Sequence, residues 1–235
     1  MRDLLDRVRS RELHGLNVTI PHKQTVIPYL DELTPTAKAI GAVNTIYLRN
    51  GQLIGENTDA PGFLADVRRS LTTETRRHEE LHALVLGAGG SARAVVYALL
   101  NDGWSVTIAV RRLEQAQQIA ASFREYKLQI TNSEFSSIDL STIALIVNTT
   151  PVGMAPNIDH SPWPENLTFP PHAAIYDLVY NPRETKFVRE ACAQGLSATT
   201  GLGMLIEQAA LSFEIWTALT PSRETMLHAV NESTH

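Results

Sequence analysis

Apolar positions recur along the chain with two periods, and their alternation lays out an α/β protein. Met1, Leu4, Leu5 and Val8 fall at helical spacing, with Gly15 standing where a helix stop is expected. Residues 16–20 alternate, Leu16, Val18 and Ile20 against Asn17 and Thr19, which predicts a short strand ended by Pro21. Val26, Ile27, Leu30 and Leu33 mark a second helical face, split at Pro28. Thr34-Pro35 reads as an N-cap followed by proline at the first helical position, and Gly41 ends that short helix. Residues 43–48 predict a strand with Asn44, Ile46 and Leu48 on one face. Asn50-Gly51 then predicts a type I′ hairpin returning into residues 52–55. The next helix opens within residues 57–63 and runs to about Ser70, where Asp59 taken alone could be no more than an N-cap.

The second part of the chain has another rhythm. Residues 72–80 are polar and charged, a linker or an extended helix end. Ala83-Leu84-Val85-Leu86 is an apolar run suited to a buried strand. It is followed by a glycine-rich turn and by Ala94, Val95, Ala98 and Leu99 on one helical face. Asp102-Gly103 closes that helix. Strands follow over 104–110, 143–147, 174–178 and 197–200, and helices over 113–123 and 184–194. Residues 155–171 form a loop with five prolines and one tryptophan. Gly201-Leu202-Gly203 enters a long helix with Leu205, Ala209, Phe213 and Trp216 on a shared face, and Pro221 separates it from a last helix over 222–230.

Composition narrows the class. The 235 residues are 43% hydrophobic and 19% charged, with a net charge of −5, an ordinary globular composition. Lys and Arg occur in nothing longer than pairs, so no nucleic-acid or anionic-membrane footprint is expected. No apolar run reaches transmembrane length. A single Cys192 excludes an internal disulfide framework and fits a reducing, cytoplasmic compartment.

Two motifs compete for the chemistry. His78-Glu79-Glu80-Leu81-His82 matches the H-E-x-x-H zinc pattern, but His82 leads straight into a strand, and the pattern needs both histidines on one helical face. No metal is expected. Gly87-Ala88-Gly89-Gly90-Ser91-Ala92 lies between a strand and a helix, the setting in which G-x-G-x-x-A cradles a pyrophosphate on backbone N–H groups. The following strand ends in Arg111-Arg112, where an NAD-binding unit would place a carboxylate for the ribose 2′-hydroxyl. Two guanidiniums favour a 2′-phosphate, hence NADP(H). A lysine after a proline, such as Lys23, is ordinarily a solvated surface residue.

Taken in order, Asn17-Val18-Thr19-Ile20-Pro21-His22-Lys23, Gly41-Ala42-Val43-Asn44-Thr45, the stretch from Asn57 to Phe63, the Gly87 turn, Asn148-Thr149-Thr150-Pro151-Val152-Gly153-Met154, Tyr176-Asp177-Leu178-Val179-Tyr180 and the stretch from Gly201 to Gln208 resemble the shikimate dehydrogenases over nearly the whole chain. The resemblance implies reversible, NADPH-dependent reduction of 3-dehydroshikimate to shikimate, in aromatic amino-acid biosynthesis. It implies a Rossmann-type NADP-binding domain over 64–203 and an incomplete α/β substrate-binding domain over 1–63 and 204–235, with a mixed, mainly parallel sheet. By position it makes Lys23 the catalytic lysine, with Asp59 beside it. Thr19, Asn44, Asp59, Tyr180 and Gln208 fall on substrate contacts. Gly87, Ala88, Gly89, Gly90, Ser91, Arg111, Leu178 and Gly201 fall on cofactor contacts, to which the charge of Arg112 adds.

The chemistry agrees with these roles. Hydride reduction of a ketone builds charge on its oxygen, which a positioned ammonium stabilises and protonates, and a neighbouring carboxylate favours that ammonium. Val110-Arg111-Arg112 keeps only the arginine of the family's Asn-Arg-Thr, so adenine-side contacts are expected to differ. Family members also open on a strand–helix–strand unit with a Ser-x-Ser motif for the substrate carboxylate, which this sequence does not contain. A chain without it is expected to bind NADPH yet turn over substrate poorly. The alternatives are a quinate/shikimate dehydrogenase using NAD, against which Arg111-Arg112 speaks, and a truncated, inactive NADP-binding protein. Beyond the small-molecule substrate, the expected assembly is a monomer or homodimer.

Overall fold

Two sheets organise the chain in the computed structural model, which describes residues 1–70, 81–126, 128–132 and 138–232. The first is four-stranded, in the order β1-β3-β4-β2, from β1 (Gly15–Asn17), β2 (Glu32–Leu33), β3 (Thr45–Arg49) and β4 (Gln52–Glu56). Asn50 and Gly51 adopt φ of 53° and 79°, the left-handed pair that a type I′ turn requires, and so set the β3–β4 register. The sheet is mixed as expected, but its parallel pairing is confined to β2–β4; β1–β3 and β3–β4 run antiparallel. The hairpin accounts for one of these, and β1 laid against its outer strand for the other. This sheet packs with α1 (Arg2–Arg9) around Leu5, Val8, Val26, Ala37, Val43, Ile46 and Leu53.

The second sheet has six strands, all parallel, in the order β10-β9-β8-β5-β6-β7. These are β5 (His82–Leu86), β6 (Ser105–Val110), β7 (Leu128–Asn132), β8 (Leu145–Asn148), β9 (Ala174–Asp177) and β10 (Ala198–Thr200). The inner strands are buried on both faces, which explains their unbroken apolar runs. Helices α4 (Gly90–Asn101), α5 (Leu113–Ser122) and α6 (Lys186–Ala193) cover it. The strand order reverses beside β5, so the crevice beyond the carboxyl ends of β5, β6 and β8 is the topological switch point. Helices α3 (Asp59–Ser70) and α7 (Leu202–Thr217) pack against each other, α7 also reaching β3 and α3 also reaching α4, and α8 (Arg223–Glu232) closes the described chain.

Several sequence expectations give way to tertiary context. The helix α1 stops at Ser10, with Arg11 in the left-handed region, well before Gly15, which opens β1 instead. The predicted strand over 16–20 pairs only as far as Asn17, because the chain turns at Ile20. Residues 26–33 form no continuous helix. Ile27–Tyr29 makes one 3-10 turn around Pro28, and Leu33 lies in β2. Thr34 does cap α2 (Pro35–Ile40), accepting from the Ala37 N–H at 3.2 Å, and Gly41 ends it at φ 69°. Asp59 is the first helical residue of α3 rather than its cap; the Asn57 Oδ1 accepts from the Ala60 N–H at 3.1 Å. The strand β7 adds an edge that the pattern did not announce. On α7 the buried residues are Met204, Ile206, Ala210 and Ser212, spread round the helix, whereas Phe213 is exposed. The linker over 72–80 lies outside the described residues.

Candidate active site

Lys23 belongs to a turn that follows β1, and its carbonyl accepts from the Val43 N–H at 2.7 Å, which ties that turn to the start of β3. Its side chain is not a surface lysine: 11% of it is exposed, and 5% of its partner Asp59. The ammonium donates to Asp59 Oδ2 at 2.6 Å and to Ser91 Oγ at 3.4 Å. The other carboxylate oxygen of Asp59 accepts from Asn44 Nδ2 at 3.0 Å, so both oxygens are engaged. A buried ion pair is retained at acceptable cost only when such added hydrogen bonds satisfy it.

Asn44 extends the pair into a network. Its Nδ2 also lies 2.8 Å from Thr58 Oγ1 and 3.2 Å from Gln208 Oε1, while its Oδ1 accepts from the Thr58 N–H at 2.7 Å. Ser212, one helical turn beyond Gln208, lies 2.7 Å from Thr45 Oγ1, accepts from Asn17 Nδ2 at 3.1 Å and donates to the Gln208 carbonyl at 3.0 Å. Sequence reasoning assigned no role to Thr45, Thr58 or Ser212. The signal for Ser212 was a hydroxyl four residues after Gln208, hence on the same side of the helix.

Beyond the pair lies a cleft of about 550 Å³ at the switch point, lined by Lys23, residues 86–91 and 109–112, residues 149–152 and Ser161-Pro162 among others. All five predicted turn residues, Gly87, Ala88, Gly89, Gly90 and Ser91, line it, as do Arg111 and Arg112. Gly87 has φ 109°, and a Cβ there would meet Thr149 Oγ1 at 2.7 Å, so only glycine fits. At Gly89 a Cβ would meet nothing within 4 Å, which leaves that backbone open for close approach. No side chain caps the start of α4, so its first N–H groups are available to an anion. Among the described lining residues the charged side chains are Lys23, Arg111 and Arg112, all cations. This donor set fits a phosphorylated dinucleotide.

The loop carrying Thr149 and Thr150 is braced from below. Asn148 Nδ2 donates to Asp177 Oδ1 at 2.8 Å, and its Oδ1 accepts from the Thr150 N–H at 2.9 Å. Burial pushes the Asp177 carboxyl up to about 6, while hydrogen bonds from Thr185, the Val179 N–H and Asn148 pull the other way. Other predicted residues are not drawn in. Thr19 and Tyr180 are exposed, outside the Asn44 network and the cleft lining. Leu178 and Gly201 meet each other, since a Cβ on Gly201 would lie 2.5 Å from the Leu178 carbonyl oxygen, but neither lines the cleft. Of the zinc pattern, His78 lies outside the described residues, and His82 places its ring nitrogens 3.2 Å from Thr142 Oγ1 and 2.8 Å from Thr107 Oγ1.

Fold and site together define a Rossmann-type dinucleotide-binding protein in which a second α/β sheet presents a lysine–aspartate pair to the nucleotide cleft. Comparison with known proteins narrows this class. Residues 1–46 match the shikimate dehydrogenase substrate binding domain, residues 70–151 the shikimate/quinate 5-dehydrogenase family, and residues 201–230 the shikimate 5′-dehydrogenase C-terminal domain. The NADP(+)-dependent shikimate dehydrogenase of Salinibacter ruber is 43% identical over 225 residues, covering 92% of this chain and 77% of that one. The enzyme of Thermus thermophilus, solved with NADP(H) and shikimate, superposes with a TM-score of 0.86 at 40% identity, covering 99% of this chain and 83% of that one. Another shikimate dehydrogenase, solved with NADP+, gives 0.89 at 35% identity over 100% of this chain and 81% of its own. The chain belongs to the shikimate dehydrogenase family.

Proposed function

We propose that this protein catalyses the reversible, NADPH-dependent reduction of 3-dehydroshikimate to shikimate. The observation that carries the reading is the buried Lys23–Asp59 pair at 2.6 Å, on the edge of a cleft whose other charged groups are Arg111 and Arg112. Residues 87–91 would hold the pyrophosphate of NADPH and Arg111 and Arg112 its 2′-phosphate, and the cofactor when bound would supply the hydride. The Lys23 ammonium then donates to the ketone oxygen and passes it a proton as charge develops there. Asp59 holds the ammonium in place, and solvent restores the lost proton. In the oxidation direction the same nitrogen accepts the hydroxyl proton.

Asn44 and Gln208 supply the donors and acceptors that a polyhydroxylated ring needs. Thr19 and Tyr180 are assigned to the same substrate, and Leu178 and Gly201 to the cofactor. In this reading residues 1–63 with 204–235 form the substrate lobe and 64–203 the NADP lobe, joined where α3 packs on α7. A reducing, cytoplasmic setting suits the lone Cys192, as a monomer or homodimer. The test is absorbance at 340 nm with 3-dehydroshikimate and either NADPH or NADH. Oxidation of NADPH with a KM at least about 10-fold below that for NADH is expected from the two arginines. Equal use of both cofactors, or no oxidation with this substrate, contradicts the reading.

A further inference from the structure

A lysine ammonium carries three N–H donors and no acceptor. In this structure two of the three are engaged from opposite lobes: Asp59 Oδ2 on α3 takes one at 2.6 Å, and Ser91 Oγ on the first turn of α4 lies 3.4 Å from the nitrogen. The stem of Lys23 lies against the same turn, since a Cβ on Gly90 would sit 3.2 Å from the Lys23 Cβ and 3.5 Å from its Cδ. With Asp59 as its sole acceptor, the ammonium would rotate about that hydrogen bond, and its remaining protons would sweep a cone. A second fixed acceptor removes this freedom. Tetrahedral geometry at nitrogen then gives the third N–H one direction.

We infer that Ser91 is a positioning residue for the Lys23 ammonium rather than a ligand of the dinucleotide. This rests on the dehydrogenase reading only for the identity of the substrate. A hydroxyl suits the place because it can reverse its role. It accepts from the charged ammonium before proton transfer, and it donates to the lone pair of the neutral amine afterwards, which the Asp59 carboxylate cannot do. The 3.4 Å separation is long for a hydrogen bond, as catalytic contacts are before the substrate is in place. Ser91 sits in the first turn of α4, the helix into which the nucleotide turn runs, so the proton donor is aligned by the same element that aligns the cofactor.

The experiment compares the wild type with Ser91→Ala and Ser91→Thr, using Lys23→Met to assign the Lys23 signal. Proton–nitrogen NMR of lysine ammonium groups reads the alignment without turnover: a doubly held ammonium exchanges its protons slowly. Ser91→Ala is expected to speed that exchange several-fold and to lower kcat about 10-fold or more. The dissociation constant for NADPH, read by fluorescence, stays within about twofold, because the turn's contacts are backbone ones. Ser91→Thr restores the slow exchange. Unchanged ammonium exchange with NADPH binding weakened about 10-fold would overturn the inference and make Ser91 a cofactor ligand. If the wild type fails to reduce 3-dehydroshikimate, the substrate assignment falls, while ammonium exchange in Ser91→Ala still decides the role of Ser91.

Discussion

Asp59 and Asp177 are both buried aspartates, and their surroundings give them different work. Asp59 faces an ammonium, whereas Asp177 is held by neutral donors from Thr185, the Val179 N–H and Asn148. Burial therefore dominates at Asp177 and raises its carboxyl to about 6. A carboxyl that keeps its proton to about pH 6 when folded, but only to about pH 4 when unfolded, binds more protons in the folded state. Its contribution to stability thus falls as pH rises through that window, by about 3 kcal/mol for a shift of about two units, and is flat above pH 7. Asp177→Asn keeps the hydrogen bonds, because the Thr185 hydroxyl can reverse and accept from the new amide. Urea midpoints between pH 4.5 and 8 are expected to show the wild type losing stability relative to Asp177→Asn from pH 4.5 to 6.5. A difference independent of pH would refute this account of Asp177.

At the scale of elements, the junction between the sheets is built on close approach of α3 and α7. Asp66 on α3 is buried; its carboxylate accepts from Tyr176 Oη at 2.5 Å and from Arg69 at 2.7 Å, and it lies directly against Gly203 of α7. A Cβ on Gly203 would sit 2.1 Å from Asp66 Oδ1, so a methyl there forces the helices apart. Gly203→Ala is expected to cost about 1–3 kcal/mol of stability. It should also raise KM for substrate, because Gln208, a proposed substrate contact, rides on α7. Thermal unfolding and initial rates check both, and a variant with wild-type Tm and KM would show that the junction yields freely.

The same elements show what the sequence could and could not disclose. Turn chemistry was legible because it is local: Thr34-Pro35, Asn50-Gly51 and the Gly87 turn adopt the conformations their residues demand. Elements shaped by packing were not. Val26, Ile27, Leu30 and Leu33 have helical spacing, but Pro28 and the β2–β4 pairing take them into a 3-10 turn and a strand. On α7 apolar residues occur all round the helix, so periodicity could not choose the face that α3 would cover. The Lys23–Asp59 pair was legible through resemblance. The hydroxyl network of Thr45, Thr58 and Ser212 was not, because it joins residues more than a hundred positions apart and forms only when α7 packs against β3 and α3.

For the whole molecule, two separately built halves place their chemistry on one cleft. The four-stranded sheet, its loops and the start of α3 deliver Lys23, Asn44 and Asp59, whereas the six-stranded sheet delivers the nucleotide turn and the arginine pair. On the proposed reading neither half holds the reacting set alone, and Lys23 does the proton chemistry where they meet. Lys23→Ala, assayed with NADPH and 3-dehydroshikimate beside a fluorescence titration of NADPH, tests it most directly. The account predicts kcat lower by about 10²–10⁴ with NADPH affinity retained. Wild-type kcat in that variant would contradict it.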